Sequence, residues 1–395
     1  MISASSPFWR AGFRPFFTAG ALYALIVLSL WVLILAGIID YETHIAPSLI
    51  HGHEMIYGFG VAAIAGFILT AMPNWTNTAP LAGKPLIALF SLWLIGRLSL
   101  WAGTSLPYNF LATLDLLFLP VLAIYTARIL IKTGNKRNLM LPGIFMILAT
   151  FNLCFYLSGT GIVPHSSRTV LEAAISLLVL LITIIGGRII PAFTRNALAA
   201  KGKSVDIVAP GKLSILCIIG TAIMMIGDLF VADNWPYLFA YFCALLAGLH
   251  LARLYFWKGW MTLSDPLLWA MHIAYLWIPI GLTLKAYGFL AYGYFWESAL
   301  HALTAGAIGT MILVVTARAG LGHTGSALKT NLYLTTALWA LTFSAIFRVI
   351  QPFIEGDFSE QLLYLSSFFW VLAFGLYLLN FIPLMGQPRL DGKPG

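Results

Sequence analysis

The sequence contains twelve apolar runs of about 20 residues, separated by short loops. A helix of this length crosses the hydrocarbon core of a bilayer. The runs are 18–39, 52–73, 85–104, 109–132, 139–160, 169–190, 212–232, 236–257, 265–286, 296–318, 331–350 and 361–385. Charged residues make up 9% of the chain, against about 25% in soluble domains, which excludes a soluble globular protein. We predict an all-α polytopic membrane protein with about 12 transmembrane helices, forming a single transmembrane domain over residues 1–395.

The positions of the basic residues predict how the helices are oriented. Lys132, Lys136 and Arg137 share one loop, and loops rich in Lys and Arg face the cytoplasm. Loops on the other side carry acidic residues such as Asp40 and Glu42. We predict that both termini are cytoplasmic. The membrane therefore explains the net charge of +8, so we predict the lipid bilayer, and no nucleic acid, as a partner.

The second, sixth and tenth predicted helices share a spacing that indicates an internal repeat. His53 precedes Thr76 by 23 residues, and His301 precedes Thr324 by the same distance. The sixth helix fits this pattern with Leu171 in the histidine position. Helices four apart thus look alike, which predicts three diverged four-helix units. The predicted units are 1–134, 135–260 and 261–395. Apolar helices also align by chance, so that alternative stays open.

Three histidines near the outer ends of the second and tenth helices are candidate metal ligands. His53 and His301 occupy the same depth under the repeat alignment, and two facing imidazoles are what a six-coordinate haem iron needs. His51 lies about 200° around the helix from His53, so the two do not face one centre in a regular helix. His51 serves a second centre, shares one centre with His53 where Gly52 and the helix start loosen the helix, or is a solvated histidine at the membrane interface.

Charged residues accompany these histidines. Glu54 and Glu297 either accept hydrogen bonds from the imidazoles as outer-shell partners or are carboxylates at helix starts. Arg97 and Arg348 lie in the outer halves of the third and eleventh helices. An always-charged, planar guanidinium suits a haem propionate, whereas snorkelling to the interface is the alternative.

A second polar set is predicted in the inner half of the bundle. His250 and His272 lie at similar depth, with Cys217 nearby, and copper accepts imidazole and thiolate ligands. The alternative is buried histidines hydrogen-bonded to neighbouring helices. Asp115 and Asp228 are intramembrane carboxylates that relay protons, stay neutral, or pair with an intramembrane arginine. No glycine-rich phosphate loop, serine–histidine triad or Cys-x-x-Cys pair occurs, so no catalytic residue is predicted.

Several motifs together resemble the NnrS family, and the resemblance covers nearly the whole chain. They are Phe13-Arg14-Pro15-Phe16-Phe17, His51-Gly52-His53-Glu54-Met55, Gly66-Phe67, Thr70-Ala71, Pro73-Asn74-Trp75-Thr76, Leu92-Trp93, Gly96-Arg97, Gly186-Gly187-Arg188, Pro191, Phe193-Thr194 and Gly322-His323-Thr324-Gly325. The resemblance implies a bacterial cytoplasmic (inner) membrane protein of the nitric oxide response that contains haem, expected to be haem b, and copper. It implies that haem and copper are held by His51, His53 and His301 in the first place, and by His250 and His272 in the second.

A more distant likeness concerns architecture. Twelve helices in three four-helix units, with histidines on helices 2 and 10, are similar to the catalytic subunits of haem-copper oxidases and nitric oxide reductases. Those subunits use arginines of helix 11 at the propionates, where this chain has Arg348. They also take metal ligands from helices 6 and 7, which carry no histidine here. We therefore expect a haem protein that lacks that binuclear centre or has a differently built one.

The sequence is consistent with three different functions. We expect a haem protein that binds or metabolises nitric oxide or a related small ligand and protects against nitrosative stress, with electrons from quinol or a periplasmic donor. One alternative is a transporter of a metal or small anion with histidines as substrate ligands. Another is a haem electron-transfer or assembly subunit without a substrate of its own.

Overall fold

The computed structural model describes residues 4–158, 160–203, 205–291 and 295–392. These ranges contain no β-strand, and 79% of the chain is helical. Within them, twelve helices are long and apolar enough to cross a membrane. They are α1 (Phe13–Leu35), α2 (Pro47–Thr76), α3 (Lys84–Trp101), α4 (Tyr108–Lys132), α5 (Lys136–Leu157), α6 (Ser167–Ala200), α7 (Gly211–Phe230), α8 (Pro236–Phe256), α9 (Pro266–Leu290), α10 (Trp296–His323), α11 (Leu332–Phe353) and α12 (Asp357–Met385). The predicted all-α polytopic fold is confirmed.

Two helices run further than the sequence predicted because they continue through a proline. The sixth run was predicted to end at residue 190, but α6 passes through Pro191 and extends to Ala200. Similarly, α2 passes through Pro73 and ends at Thr76. Proline removes one backbone donor, yet helices in membranes tolerate it because neighbouring groups satisfy the freed carbonyl.

Local sequence signals set several helix boundaries. The Asp265 carboxylate accepts a hydrogen bond from Leu267 N at 3.1 Å just before α9, which starts with proline. The Asn331 side chain caps α11 through Leu334 N at 3.0 Å. Side-chain oxygens at this position satisfy amides that the first turn leaves unpaired. At the other end of α2, Asn77 adopts the left-handed conformation, with φ of 52°, and stops the helix.

The chain forms two compact units. The first unit comprises Met1–Leu171, Arg318–Leu328 and Tyr377–Gly395, and the second comprises Glu172–Ala317 and Lys329–Leu376. The predictions of one domain and of a threefold repeat stay predictions.

In the first unit, α1 packs on α2, α3 on α4, and α4 on α5. Its core includes Phe16 and Phe17, which are buried. Arg14 is a buried polar exception, and its Nη1 donates to the carbonyls of Met385 and Gln387, each at 2.7 Å. The guanidinium thereby satisfies backbone acceptors at the end of α12, which the helix itself cannot pair.

In the second unit, α9 is the central helix and packs against α8 and α10. Its buried residues include Trp269, Tyr275 and Trp277, which point in different directions around the helix. A helix that is apolar all round belongs inside a bundle. The polar residues carried by α9 are therefore brought into contact with side chains of its neighbours.

Candidate functional site

Two fully buried ionisable residues of the first unit lie where α2 changes its winding. The segment Pro47–His53 is α-helical, Glu54–Gly60 is π-helical, and the α-helix resumes at Val61. π-Helical turns are rare and are frequent at functional sites. His53 and Glu54, at this junction, have no exposed surface.

Both ring nitrogens of His53 lie close to oxygen atoms. Nδ1 is 2.9 Å from Glu54 Oε1. Nε2 is 2.7 Å from Asn152 Oδ1 and 3.3 Å from Asp115 Oδ2. A neutral imidazole has only one N–H to donate. Both nitrogens of His53 can therefore form hydrogen bonds to these oxygens only when one additional proton is present, either on the imidazole or on a carboxyl group.

Arg97 joins the two carboxylates of this cluster. Its Nη1 is 2.5 Å from Glu54 Oε1, and its Nη2 forms an ion pair with Asp115. Asp115 Oδ2 also accepts from Asn152 Nδ2 at 2.8 Å and from the Tyr156 hydroxyl at 3.0 Å. One guanidinium thus faces two carboxylates, and buried charge is stable only when it is paired. We name His53, Glu54, Arg97, Asp115 and Asn152 the α2 cluster.

Sequence reasoning missed two members of this environment, Asn152 and Tyr156 on α5. Both are buried, and their hydrogen bonds to Asp115 link α5 to α4. The available signal was a single asparagine inside the apolar run of α5. Such a residue at membrane depth normally has a polar partner on another helix.

Helix α10 of the second unit repeats the winding of α2. His301 ends a short α-helical stretch, and the π-helix Ala302–Gly309 follows directly. Gly58 and Gly306 lie at the same distance from their histidines, five residues on. A side chain at Gly58 would collide with the Tyr23 ring, and one at Gly306 with Trp277. In both helices the π-helical stretch therefore packs against an aromatic ring of the preceding helix.

The surroundings of His301 differ from those of His53. Its Nδ1 donates to the backbone carbonyl of Glu297 at 2.7 Å, while the Glu297 carboxylate is 3.9 Å away. The hydrogen bond to a carbonyl places the proton on Nδ1, so Nε2 carries the basic lone pair. Metal-binding histidines are commonly oriented in this way.

His51 lines a narrow cleft in the first unit. Its imidazole stacks on Trp31, with ring centroids 5.2 Å apart and an interplanar angle of 16°. Tyr41 and Trp101 also line the cleft. Burial raises the pKa of the Tyr41 phenol, whose hydroxyl donates to the carbonyl of Leu100 at 2.7 Å. The structure thus places His51 in an aromatic cleft, apart from the buried α2 cluster.

Arg348 of α11 is half-buried. Its Nη1 donates to Gln351 Oε1 at 2.9 Å. A guanidinium carries five N–H donors, so this bond leaves capacity for a carboxylate ligand. Arg97, by contrast, already pairs with two carboxylates, those of Glu54 and Asp115.

His250 lies in a hydrogen-bonded network of the second unit. Its Nδ1 is 2.8 Å from the Tyr275 hydroxyl, and its Nε2 is 3.1 Å from Thr221 Oγ1. Arg253 Nη1 donates to the same tyrosine oxygen at 3.0 Å and to the carbonyl of Thr183 at 2.9 Å. The network therefore connects α6, α7, α8 and α9.

His272 of α9 has a hydrogen-bond partner at only one of its two ring nitrogens among the described residues. Its Nε2 is 3.0 Å from Thr194 Oγ1 on α6, while Nδ1 is buried and has no hydrogen-bond partner among the described residues. Cys217 is fully buried. Across the described ranges, no group of three His, Cys, Asp or Glu side chains is placed to hold a metal ion.

Asp228 forms a second buried ion pair, with Lys285 of α9. The Ser176 hydroxyl donates to Asp228 Oδ2 at 2.5 Å. Lys285 Nζ lies 5.5 Å from the centre of the Trp296 ring, and Trp296 Nε1 donates to Glu172 Oε1 at 2.9 Å. The sequence indicated Asp228 as an intramembrane carboxylate but not its partner.

A family model described as NnrS protein matches residues 7–389, nearly the whole chain. This chain belongs to the NnrS family. No curated protein matches it. The NnrS-family resemblance predicted from the motifs is confirmed, and with it a multi-pass membrane protein whose family is associated with haem and copper.

The donor chemistry of this NnrS chain fits haem best at His301. Its Nδ1 donates to a backbone carbonyl, which leaves the lone pair on Nε2, the arrangement common among metal-binding histidines. His53 would have to give up one of its contacts to bind iron, because both nitrogens are within hydrogen-bonding distance of oxygens. The two histidines belong to different units.

The described residues fit copper less well. His250 has both nitrogens in hydrogen bonds, and His272 has one nitrogen without a partner. No third ligand joins them among the residues described. The described residues therefore do not form a complete copper site.

Proposed function

We propose that this NnrS-family chain is a haem protein of the bacterial cytoplasmic membrane that binds nitric oxide and protects against nitrosative stress. Family membership supports a role in the nitric oxide response. The observation that carries the haem proposal is His301, whose Nδ1 donates to the carbonyl of Glu297 at the start of a π-helix. A bound haem would supply a redox-active iron with a coordination position for a small ligand.

The residues of the chain have distinct tasks in this proposal. His301 holds the iron through Nε2, and its own helix fixes the ring. Arg348, which is half-buried, would bind a propionate. Within the first unit, His51 and His53 are the candidate haem ligands. Electrons come from quinol or from a periplasmic donor.

The experiment is the reduced-minus-oxidised visible spectrum of the protein purified in detergent, before and after nitric oxide is added. We expect sharp b-type bands that shift with nitric oxide. His301→Ala should abolish these bands while the protein still inserts into the membrane. The control is His44→Ala, because His44 is exposed and its contact is with the backbone carbonyl of Leu106.

Two outcomes would contradict the proposal. Full haem retention in His301→Ala would remove its structural basis. Haem bands that do not shift when nitric oxide is added would instead indicate an electron-transfer or assembly subunit.

A second candidate function is transport of a metal or small anion. The α2 cluster favours it, because buried ionisable residues inside a membrane bundle mark substrate and ion pathways. A haem-free preparation, expressed with adequate haem supply, would overturn the haem proposal. Ion uptake into vesicles that is lost in Arg97→Met but kept in Arg348→Met would then support transport.

A further inference from the structure

The turn that joins α4 to α5 in the first unit carries four exposed basic residues close together in the sequence. We name them the basic turn: Arg128, Lys132, Lys136 and Arg137. The sequence has no Asp or Glu from residue 116 to residue 171. Within the described part of the chain, none of the four side chains is paired with a carboxylate. The basic turn is thus a cationic surface without a counter-ion from its own helices.

The formation of the two helices does not require these charges. Arg128 and Lys132 are four residues apart on α4 and so lie on one face, where like charges destabilise a helix. Lys136 and Arg137 lie in the first turn of α5, at the positive end of the helix dipole, which favours anions. An external anion would therefore stabilise both pairs of cations, which we call the α4 pair and the α5 pair.

Hydrogen bonds fix the backbone between the two pairs. Gly134 adopts the left-handed conformation, with φ of 67°, and its N–H donates to the carbonyl of Ile131 at 3.1 Å. The Asn135 N–H donates to the carbonyl of Leu130 at 2.9 Å, which completes the cap of α4. The Asn135 side chain also donates to the carbonyl of Trp75 in α2 at 2.9 Å. A fixed backbone lowers the entropy lost when a ligand binds both pairs.

Apolar side chains surround the basic turn. Ile124 and Ile131 of α4 and Leu139 and Met140 of α5 are exposed, and exposed apolar side chains of membrane-spanning helices contact lipid. Trp75, at the nearby end of α2, is also exposed, and tryptophan is enriched where the bilayer meets water. The cations therefore lie where lipid headgroups meet their acyl chains.

We propose that the basic turn binds an anionic phospholipid with two phosphate groups, a lipid of the cardiolipin type. The α4 pair contacts one phosphate and the α5 pair contacts the other, while acyl chains lie against the exposed apolar side chains of both helices. Basic surfaces between transmembrane helices on the cytoplasmic side bind such headgroups, and the basic residues place this turn on that side. The site does not involve haem, so its test is independent of the proposed function.

Two linked phosphates suit this surface better than two separate lipids. Once the first phosphate is bound, the second binds as an intramolecular event at high effective concentration. Two lipids with one phosphate each would both lose translational freedom on binding. The exposed apolar side chains favour a lipid over a soluble polyanion, which has no group to cover them.

The test is a lipid titration of the full chain, purified in detergent and stripped of lipid, followed by native mass spectrometry. The lipids are cardiolipin, phosphatidylglycerol and phosphatidylcholine, compared at equal phosphate concentration. We expect cardiolipin to bind about tenfold more tightly than phosphatidylglycerol because of the linked phosphates. Phosphatidylcholine, which has no net charge, should bind most weakly.

Two double variants remove one pair each: Arg128→Gln with Lys132→Gln, and Lys136→Gln with Arg137→Gln. Each should raise the Kd for cardiolipin about tenfold, to the value for phosphatidylglycerol, because only one phosphate is then bound. The Kd for phosphatidylglycerol should change less than about threefold, since one pair remains in each variant. Circular dichroism and gel filtration confirm that the variants are folded.

Lys201→Gln with Lys203→Gln is the matched control, because it removes two exposed lysines from the loop between α6 and α7. That loop also contains Asp206, and Lys201 Nζ donates to Ser264 Oγ at 3.0 Å. The control should bind cardiolipin with unchanged affinity. An equal loss in the control would show a general attraction to basic surface and overturn the site.

Three further results would contradict the proposal. Unchanged cardiolipin affinity in both pair variants would mean that these charges only orient the protein in the membrane. Equal affinity for cardiolipin and phosphatidylglycerol would overturn the two-phosphate assignment. Displacement of cardiolipin by equimolar inorganic pyrophosphate would indicate a site for soluble anions rather than for lipid.

Discussion

Helices α2 and α10 begin in the same way but hold their histidines differently. Each carries a histidine directly before a π-helical stretch, with a glycine five residues later that packs against an aromatic ring. His53 has no exposed surface and lies among Glu54, Asp115 and Asn152. The His301 side chain is 17% exposed and uses its own helix as hydrogen-bond acceptor.

The difference shows that a shared helix geometry does not determine what a histidine does. In the first unit, α3, α4 and α5 each send a polar side chain towards α2, which makes His53 part of a charge cluster. The Nδ1 atom of His301 contacts Glu297 of its own helix, α10. The His53 imidazole is thus part of a hydrogen-bonded network, whereas the His301 imidazole has the orientation of a metal ligand.

The largest expected effect comes from removing the cation of the α2 cluster. Arg97→Met leaves Glu54 and Asp115 buried without a positive partner, and breaking a buried ion pair costs about 3–5 kcal/mol in free energy of unfolding. The measurement is thermal unfolding in detergent micelles. Adding Glu54→Gln and Asp115→Asn to this variant should recover most of the lost free energy of unfolding, because no buried carboxylate then lacks a positive partner.

Arg348→Met is the control for that substitution. Arg348 is half-buried and bonds to the neutral Gln351 side chain, so we expect a loss of about 1 kcal/mol. Similar small losses in both arginine variants would show that the α2 cluster is not the ionic centre of its unit.

An intermediate effect tests the equivalence of the two π-helical stretches. Gly58→Ala and Gly306→Ala each force an aromatic ring to move, and such overpacking costs about 1–3 kcal/mol. Gly143→Ala and Gly248→Ala are controls, one in each unit, since no atom lies within 4 Å of a side chain added there. If the unfolding midpoint falls in only one of Gly58→Ala and Gly306→Ala, the two π-helical stretches are not equivalent.

The smallest expected effect concerns Glu297. The His301 ring is oriented by the backbone carbonyl of Glu297 at 2.7 Å, not by its carboxylate at 3.9 Å. Glu297→Ala keeps that carbonyl, so haem content should not change, and stability should change by no more than about 0.5 kcal/mol. The check is haem absorbance per protein; a loss like that in His301→Ala would assign the orienting role to the carboxylate.

Much of the α2 cluster could be suspected from sequence, because ionisable residues in apolar runs attract attention. His53, Glu54, Arg97 and Asp115 were all recognised in this way. Asn152 was not recognised, because an uncharged amide in an apolar run is a weaker signal than a charged side chain. The pairing of Lys285 with Asp228 was also missed, because sequence gives the depth of a residue along a helix but not the face that meets a neighbour.

The sequence by itself determined the membrane class, the all-α fold, the twelve helices and the family. These follow from the length of the apolar runs and from local motifs, because a bilayer admits few ways to satisfy a backbone. Only the tertiary structure decided that His53 lies inside a charge cluster, that His301 is oriented by its own helix, and that Asp228 pairs with Lys285. Those outcomes depend on which helices pack together and on their rotation, and the periodicity of an almost uniformly apolar helix does not encode either.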